Sequence, residues 1–184
     1  MKKKNRNYLG LVHFPVYNKF KDTVTTSITN LDIHDIARSC RTFDVKGFYI
    51  INPLPTQKKI LERILKFWES DIAGKYNSDR VDALQLVHYA DSVGSAIKNI
   101  KIQEGKRPIL ITTTAAQRDK HISFREVKLI EEPRLILFGT GNGLTNELHD
   151  MADHILEPIE GGSYNHLSVR SAAAIVLDRL TSEK

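Results

Sequence analysis

Apolar residues along this chain follow two different spacings. Six short runs are almost continuously apolar or alternate with polar residues, which predicts β-strands at residues 8–14, 45–52, 83–90, 107–113, 134–139 and 154–159. Between these runs, apolar residues recur every three or four positions, which predicts helices at residues 31–44, 55–70, 92–102, 122–132, 145–152 and 168–183. The polar residues 18–27 predict an irregular connection between the first strand and the first helix.

The order of these elements predicts the architecture. Strands that alternate with helices form a mostly parallel sheet with helices on both faces, so the sequence predicts an α/β fold. The nearly continuous apolar character of the strands fits a sheet that is covered on both sides. A chain of 184 residues, 41% of them hydrophobic, can bury one such core. Since no internal spacer is visible, we expect a single domain over residues 1–184.

Net charge gives a weak indication of a partner. The chain carries a formal charge of +5. Six cations and no acid occur in residues 1–21, which therefore carry +6 and leave −1 for residues 22–184. This basic stretch can contact a polyanion or can be a solvated end, and charge alone leaves both interpretations open.

Other features limit the class of protein. No apolar run approaches the ~20 residues of a membrane span, and the Lys-rich start lacks the apolar core of a signal peptide, so we expect a cytoplasmic protein. The single cysteine, Cys40, cannot form an internal disulfide. The seven histidines show no pairing at zinc-ligand spacing, so we expect no metal.

A glycine-rich turn follows the apolar strand 134–139. Gly139, Gly141 and Gly143 fall within five residues, at the end of a strand where ligands of parallel sheets bind. Such glycines let a ligand approach backbone amides, but they are equally compatible with a tight strand-to-helix turn. The spacing differs from the G-x-G-x-x-G pattern of dinucleotide-binding folds, and the G-x-x-x-x-G-K-[ST] phosphate loop is absent. A nicotinamide enzyme is therefore a poor fit.

A second glycine-bearing turn and a helix rich in small residues follow. The sequence FGTGNGL at 138–144 precedes ILEPIEGG at 155–162 and HLSVRSAAAI at 166–175. Together the three segments resemble motifs of the SPOUT class of S-adenosylmethionine-dependent RNA methyltransferases. Earlier in the chain, NLDIHDIARSCRTFDV resembles the first long helix of that class. The resemblance covers roughly residues 28–180 and is closest to a small branch sometimes attached to tRNA guanine methyltransferase.

This resemblance implies a fold and a cofactor. The C-terminal segment would form a deep trefoil knot, which gives the SPOUT fold. S-adenosylmethionine would lie among the loops of that knot, held mainly by backbone groups and apolar side chains. By position, the implied cofactor-binding residues are Thr112, Thr113, Thr114, Gly139, Thr140, Gly141, Asn142, Gly143, Leu144, Leu156, Pro158, Ile159, Gly161, Leu167 and Ser168.

The resemblance also implies an activity. The chain would form a homodimer that transfers a methyl group from S-adenosylmethionine to RNA, a tRNA or an rRNA. Arg38 of one subunit would act beside the cofactor of the other, and Ser168 is a second candidate catalytic residue. The candidate substrate-binding residues are Asn165, His166 and Arg170. Structural interpretations stay open, since Arg38 can be an exposed helix arginine and Ser168 an ordinary N-cap.

Departures from the class leave the acceptor atom open. Gly141 stands where the ribose methylases have glutamate, and Ser168 where they have asparagine. The guanine-methylating subgroup uses an aspartate before the terminal helix, and residues 163–174 contain none. An alternative function is therefore a non-catalytic S-adenosylmethionine-binding accessory protein of an RNA-modifying enzyme. The mixed-charge segment 117–128 either contacts RNA phosphates or is a solvated helix.

Overall fold

The computed structural model describes residues 6–118 and 121–182. Its strands are β1 (Asn7–Val12), β2 (Val16–Tyr17), β3 (Thr23–Val24), β4 (Gly47–Ile51), β5 (Val87–Ala90), β6 (Ile109–Thr112), β7 (Arg134–Gly139) and β8 (His154–Ile155). Its helices are α1 (Asn30–Thr42), α2 (Pro55–Trp68), α3 (Asp71–Tyr76), α4 (Ser78–Leu84), α5 (Val93–Glu104), α6 (Phe124–Leu129), α7 (Asn146–Met151) and α8 (Val169–Thr181). The predicted α/β alternation is confirmed.

Within the described residues, six strands form one sheet in the order β5-β4-β1-β7-β6-β8. Every neighbouring pair in this sheet is parallel, as predicted. The central strands β1 and β7 are in register from Asn7 opposite Arg134 to Val12 opposite Gly139. The end of β1 and the start of the glycine-rich turn therefore lie side by side at the carboxyl edge of the sheet.

Helices cover both faces of the sheet. Leu9 and Leu11 of β1 point to one face, where they belong to the core that packs against α1, α2, α4, α6 and α8. Tyr8 and Val12 point to the other face, where the core includes α5, α7 and β2. This alternation follows from the two-residue period of a strand, and it explains why doubly covered strands are apolar at nearly every position.

Three regions differ from the sequence prediction. The predicted strand 83–90 starts only at Val87, because residues 83–84 complete α4 and join the core below α1. The polar stretch 18–27 is partly ordered, since β2 and β3 pair as an antiparallel hairpin. The last strand is shorter than the predicted 154–159, and Pro158, which has no amide proton, could not have continued its hydrogen bonding.

The basic N-terminal stretch is described only from Arg6 onward, so Lys2, Lys3 and Lys4 lie outside the described residues. Arg6 donates to the carbonyl of Glu131 over 3.1 Å and its Nε lies 3.6 Å from a carboxylate oxygen of Glu104. Arg6 is thus engaged within the fold. No helix in the described part of the chain is both long and apolar enough to cross a membrane.

Candidate active site

A cavity of about 900 Å³ lies at the carboxyl ends of β6 and β7. Two segments contribute six lining residues each: the first turn, residues 139–144, and the second turn, residues 157–168. Predicted cofactor-binding residues in this wall are Thr113, Thr114, Gly139, Thr140, Gly141, Asn142, Gly143, Leu144, Leu156, Ile159, Leu167 and Ser168. The fold therefore brings together most of the residues that the sequence singled out.

The first turn is fixed by backbone hydrogen bonds from two directions. The amide of Thr140 donates to the carbonyl of Val12 over 3.2 Å, which ties the turn to β1. On its other side, the Asn142 amide donates to the Tyr17 carbonyl over 2.7 Å, and the Tyr17 amide donates to the Gly143 carbonyl over 2.9 Å. The hairpin β2–β3 thus supports the turn from outside the sheet.

Glycine is required at several positions of the first turn. A Cβ atom on Gly139 would lie 2.6 Å from the Leu144 amide nitrogen, so the turn closes on itself too tightly for a side chain. Gly141 has φ of 58° and Gly143 has φ of 97°, both in the left-handed region that favours glycine. The tight-turn interpretation is therefore correct, and the same turn also lines a cavity.

A buried histidine supports the first turn from below. His13 directly follows β1 and is fully buried, and its Nδ1 lies 3.0 Å from Oγ1 of Thr26. The same Thr26 hydroxyl is hydrogen-bonded to the hydroxyl of Thr140 in the turn. Burial lowers the pKa of His13 to about 4, because the charged imidazolium would lose its hydration. The imidazole is therefore neutral at neutral pH.

A second buried histidine lies in the cavity wall. His149 of α7 is 4% exposed, and its Nδ1 lies 2.9 Å from Oγ1 of Thr112 at the end of β6. Burial, together with the positive charge of Arg118, lowers the pKa of His149 to about 4. Thr112 itself lies behind this histidine and does not line the described cavity, so its predicted contact with the cofactor stays a prediction.

The second turn is much more exposed than the first. At its start, a carboxylate oxygen of Glu157 accepts from the Phe124 amide over 2.7 Å. Further along, Asn165 donates to the carbonyl of Ile159 over 3.2 Å and more weakly to that of Ala115 over 3.5 Å. Asn165 and His166, both predicted to bind substrate, line the cavity. Pro158 and Gly161 belong to this turn but are not among the described lining residues. Their role also stays a prediction.

Ion pairs connect the start of α8 to α1. Arg170 places its Nε 3.3 Å from Asp32 and its Nη1 2.9 Å from Asp35. Arg170, predicted to bind substrate, therefore joins the two helices and does not line the described cavity, although Asp32 does. Ser168 lines the cavity and also caps α8 by accepting a hydrogen bond from the Ser171 amide over 3.2 Å.

Arg38, the predicted catalytic arginine, lies on the exposed face of α1. Among the described residues it forms no ion pair, and it does not line the cavity of its own subunit. No group of three or more histidine, cysteine or acidic side chains in the described part of the chain is arranged to hold a metal ion.

Several polar cavity residues are not among the catalytic, cofactor-binding and substrate-binding residues named from the sequence, although Arg118 lies in the segment 117–128 that was a candidate RNA contact. They are Tyr17, Lys21, Asp32, Arg118, Asn146, His149 and Glu157. Tyr17 and Lys21 lie in the hairpin, which the sequence did not predict. Two signals were nevertheless present, since Asp32 belongs to the same helix motif as Arg38 and Glu157 lies between two predicted cofactor residues.

The wall has the chemical character that S-adenosylmethionine requires. Leu144, Leu156 and Ile159 offer apolar surface for an adenine ring, and the first turn offers backbone groups that no side chain shields. Asp32 and Glu157 supply carboxylate oxygens that can accept hydrogen bonds from ribose hydroxyls or from an ammonium group. The residues present therefore fit the predicted cofactor.

The fold is shared with solved SpoU methyltransferases. The S-adenosylmethionine complex of the SpoU methyltransferase AviRb from Streptomyces viridochromogenes shares the fold, with a TM-score of 0.60 and 15% sequence identity over 98% of this chain and 61% of that one. A family model described as SAM-dependent RNA methyltransferase matches residues 6–182. The chain belongs to this family, and the predicted reaction, methyl transfer from S-adenosylmethionine to RNA, is confirmed.

Two relatives extend along nearly all of the chain. An uncharacterized protein of Aquifex aeolicus is 37% identical over 180 residues, covering 95% of this chain and 88% of that protein. A tRNA (guanine-N(1)-)-methyltransferase of Oleidesulfovibrio alaskensis is 42% identical over 179 residues, covering 96% of this chain. This chain spans only 42% of that longer enzyme.

Proposed function

We propose that the protein methylates a tRNA and holds S-adenosylmethionine between the first turn and the second turn. The observation that carries this proposal is the cavity wall, in which glycine backbone on one side faces apolar and polar side chains on the other. The match to a tRNA (guanine-N(1)-)-methyltransferase supports tRNA as the substrate class. A tRNA substrate also places the proposed activity in the cytoplasm.

Within this proposal, the chain contributes mainly by positioning. S-adenosylmethionine, when bound, supplies a methyl group activated by the sulfonium. The first turn binds the adenosyl part through backbone groups that its own hydrogen bonds leave available, and Leu144 and Ile159 exclude water from it. The Ser168 hydroxyl accepts from the Ser171 amide and lies 3.0 Å from the Ser171 hydroxyl, so it can donate its proton to a ligand in the cavity when the Ser171 hydroxyl acts as the donor of that pair.

We further propose a homodimer in which Arg38 serves the partner's cavity. Since Arg38 does not line its own cavity, only a second subunit could place it beside a cofactor. Leu31 is 62% exposed at the start of α1 and Leu167 is 47% exposed just before α8, which supplies apolar surface for such a contact. The positive charge of the guanidinium would stabilise developing negative charge on the acceptor, and the group would not itself remove a proton.

The proposed fold includes a C-terminal trefoil knot. The second turn and α8 follow β8, which pairs with β6 at the edge of the sheet, so the last segment leaves that edge and returns to pack on α1. Knots are nearly absent from protein folds, and this one is implied by class membership.

The first test is calorimetric titration of the purified protein with S-adenosylmethionine and with its demethylated product, using NADH as a control. We expect binding of the first two ligands alone. Transfer of a labelled methyl group to bulk tRNA, compared with rRNA, then tests the substrate class. Cofactor binding without transfer to either RNA would instead support the accessory function.

The role of Arg38 is tested by Arg38→Ala, with Arg63→Ala on the exposed face of α2 as the matched control. We expect Arg38→Ala to retain cofactor affinity and to lose methyl transfer at least a hundredfold. If the two variants transferred methyl groups equally well, Arg38 would be an ordinary surface residue without a catalytic role. Mixing Arg38→Ala subunits with a cavity-blocked variant would restore activity only if the arginine acts across the dimer.

A further inference from the structure

The hairpin β2–β3 places an aromatic ring and two lysines beside the cavity. Its tip consists of Lys19, Phe20 and Lys21, and Phe20 is 71% exposed. Lys21 and Tyr17 of the same hairpin line the cavity. Phe20 adjoins Lys21, which lines the cavity, so a ligand that extends out of the cavity can contact this exposed ring.

The tip is held in one conformation. The side-chain oxygen of Asn18 accepts hydrogen bonds from the Phe20 amide over 2.8 Å and from the Asp22 amide over 3.0 Å. The Lys21 amide donates to the Asn18 carbonyl, and Lys21 has φ of 69°, in the left-handed region. Phe20 is therefore presented on a closed turn, which reduces the entropy lost when a ligand binds to it.

The same hairpin is joined to the first turn. The Tyr17 amide and carbonyl both bond to this turn, and Val16 forms an isolated bridge to Leu144. In addition, the phenolic oxygen of Tyr17 accepts from the Asn146 amide over 3.2 Å. The position of the tip is thus fixed relative to the proposed cofactor site, as a substrate-binding element requires.

The charge of the tip is positive and available. Neither Lys19 nor Lys21 forms an ion pair within the described residues. The nearby carboxylate of Asp22 instead accepts from the side-chain amide of Asn18 over 3.1 Å. The ammonium of Lys19 lies 4.8 Å from the centre of the Phe20 ring, and that of Lys21 lies 5.5 Å from the Tyr17 ring. Cations beside an exposed ring suit a ligand that combines π-faces with phosphates.

We propose that this tip binds the RNA substrate, with one base stacked on Phe20 and adjacent phosphates neutralised by Lys19 and Lys21. The proposal rests on the proposed function, since it deepens how the same site receives RNA. The segment bound would be single-stranded or unpaired, because a base can stack on a side chain only when it leaves its own helix.

The experiment measures binding of labelled, deproteinised bulk tRNA by fluorescence anisotropy, alongside calorimetric titration with S-adenosylmethionine. We expect Phe20→Ala to bind tRNA about tenfold more weakly and Phe20→Trp to bind like the wild type, because stacking needs only an aromatic face. The matched control is Phe67→Ala, which removes a ring that is 60% exposed on α2. Cofactor affinity should be unchanged in all three variants.

The lysines are tested by the salt dependence of binding. We expect the double variant Lys19→Ala/Lys21→Ala to reduce the slope of log affinity against log salt by about 1 to 2, whereas Lys59→Ala/Lys66→Ala on α2 leaves it unchanged. Sedimentation should show that Phe20→Ala has the same oligomeric state as the wild type.

Three results would overturn the proposal. The first is equal tRNA affinity of Phe20→Ala and Phe67→Ala. The second is a salt slope that does not change when both tip lysines are replaced. The third is dissociation of an oligomer in Phe20→Ala, which would show that the ring is a contact between copies of the chain. Failure of the proposed function is distinguished from these results, because it appears in the wild type itself, as absence of binding to tRNA or to S-adenosylmethionine.

Discussion

The first turn and the second turn line the same cavity but are built in opposite ways. The first is closed by hydrogen bonds to β1 and to the hairpin, and it rests on the His13–Thr26–Thr140 contacts. The second is tied at its start, where the Glu157 amide donates to the Ile122 carbonyl over 2.9 Å, but among the described residues no amide of 158–167 donates to a backbone carbonyl. The cavity therefore has one rigid wall and one wall held by few contacts.

This difference gives each wall a distinct physical role. A wall with few hydrogen bonds and high exposure opens at low free-energy cost, so it can move to admit a ligand and then become ordered around it. A wall fixed in advance carries no such cost and sets the position of the ligand. We infer that the first turn determines where the cofactor lies and that the second turn closes on it.

Acidification should have the largest effect, because it acts on two buried histidines, His13 below the rigid first turn and His149 on α7. The folded-state pKa of both His13 and His149 is about 4, against an ordinary value of 6.5. The unfolded chain thus takes up protons first as the pH falls. Stability is full above pH 6.5 and declines toward pH 4, by about 2 kcal/mol per histidine between pH 7 and pH 5.

Urea unfolding at pH 7, 6 and 5 measures this decline. His149→Gln should remove roughly half of the loss that the two histidines contribute, because it deletes one buried imidazole. The comparison variant is His166→Gln, an exposed residue of the second turn, which should keep the wild-type profile. A wild-type protein equally stable at pH 7 and pH 5 would show that the two histidines do not titrate with unfolding.

Replacement of Gly139 by alanine should have the next largest effect. The added Cβ would lie 2.6 Å from the Leu144 nitrogen and 2.8 Å from the Gly143 carbonyl carbon, so backbone atoms must move. We expect a loss of about 3 kcal/mol in the free energy of unfolding and at least tenfold weaker binding of S-adenosylmethionine. Urea unfolding and calorimetric titration measure the two effects.

The matched control is Gly162→Ala in the second turn, where an added Cβ meets no atom within 4 Å. This variant should change stability by no more than about 0.5 kcal/mol. If both glycine variants lost the same stability, the two walls would not differ in rigidity as we describe.

The sequence was informative about the rigid parts of the fold and less so about the site. Strands such as β1 and β7 are buried on both faces, so their composition alone identifies them. The strands β2 and β3 have two residues each and depend on docking against the first turn, which no local pattern encodes. The short helix α4 was missed for a similar reason, since its buried residues 83–84 continue into the apolar run of β5.

Site residues that act through their backbone conformation could be predicted from the sequence. Site residues whose position depends on tertiary contacts could not. Gly139, Gly141 and Gly143 were visible because glycine marks unusual backbone conformation. Thr112 was assigned to the site by its place at the end of β6, yet its side chain points toward α7 and bonds to His149. His149 had no sequence signal, since a histidine on a short helix is more often structural than functional.

Loss of the Thr26 hydroxyl should have a smaller effect on the first turn. Thr26→Val keeps the shape of the side chain but removes the oxygen between His13 and Thr140, which leaves the buried Nδ1 of His13 without its partner. We expect a loss of about 1–2 kcal/mol in the free energy of unfolding. Thr23→Val, at an exposed position of β3 in the same hairpin, should be neutral. If the two variants were equally stable, the contacts of Thr26 with His13 and Thr140 would not stabilise the turn.

Removal of Asn165 should have the smallest effect on stability and a measurable effect on ligand binding. Its amide group makes only two bonds, of 3.2 Å and 3.5 Å, so Asn165→Ala should cost less than about 1 kcal/mol in unfolding. Because the second turn must still be ordered by the ligand, affinity for S-adenosylmethionine should fall about threefold, whereas Ser163→Ala leaves it unchanged. Hydrogen exchange gives the direct measurement: without ligand, amides of 158–167 should exchange faster than those of the first turn, and S-adenosylmethionine should slow them. Slow exchange of the second turn without ligand would mean that both walls are equally rigid.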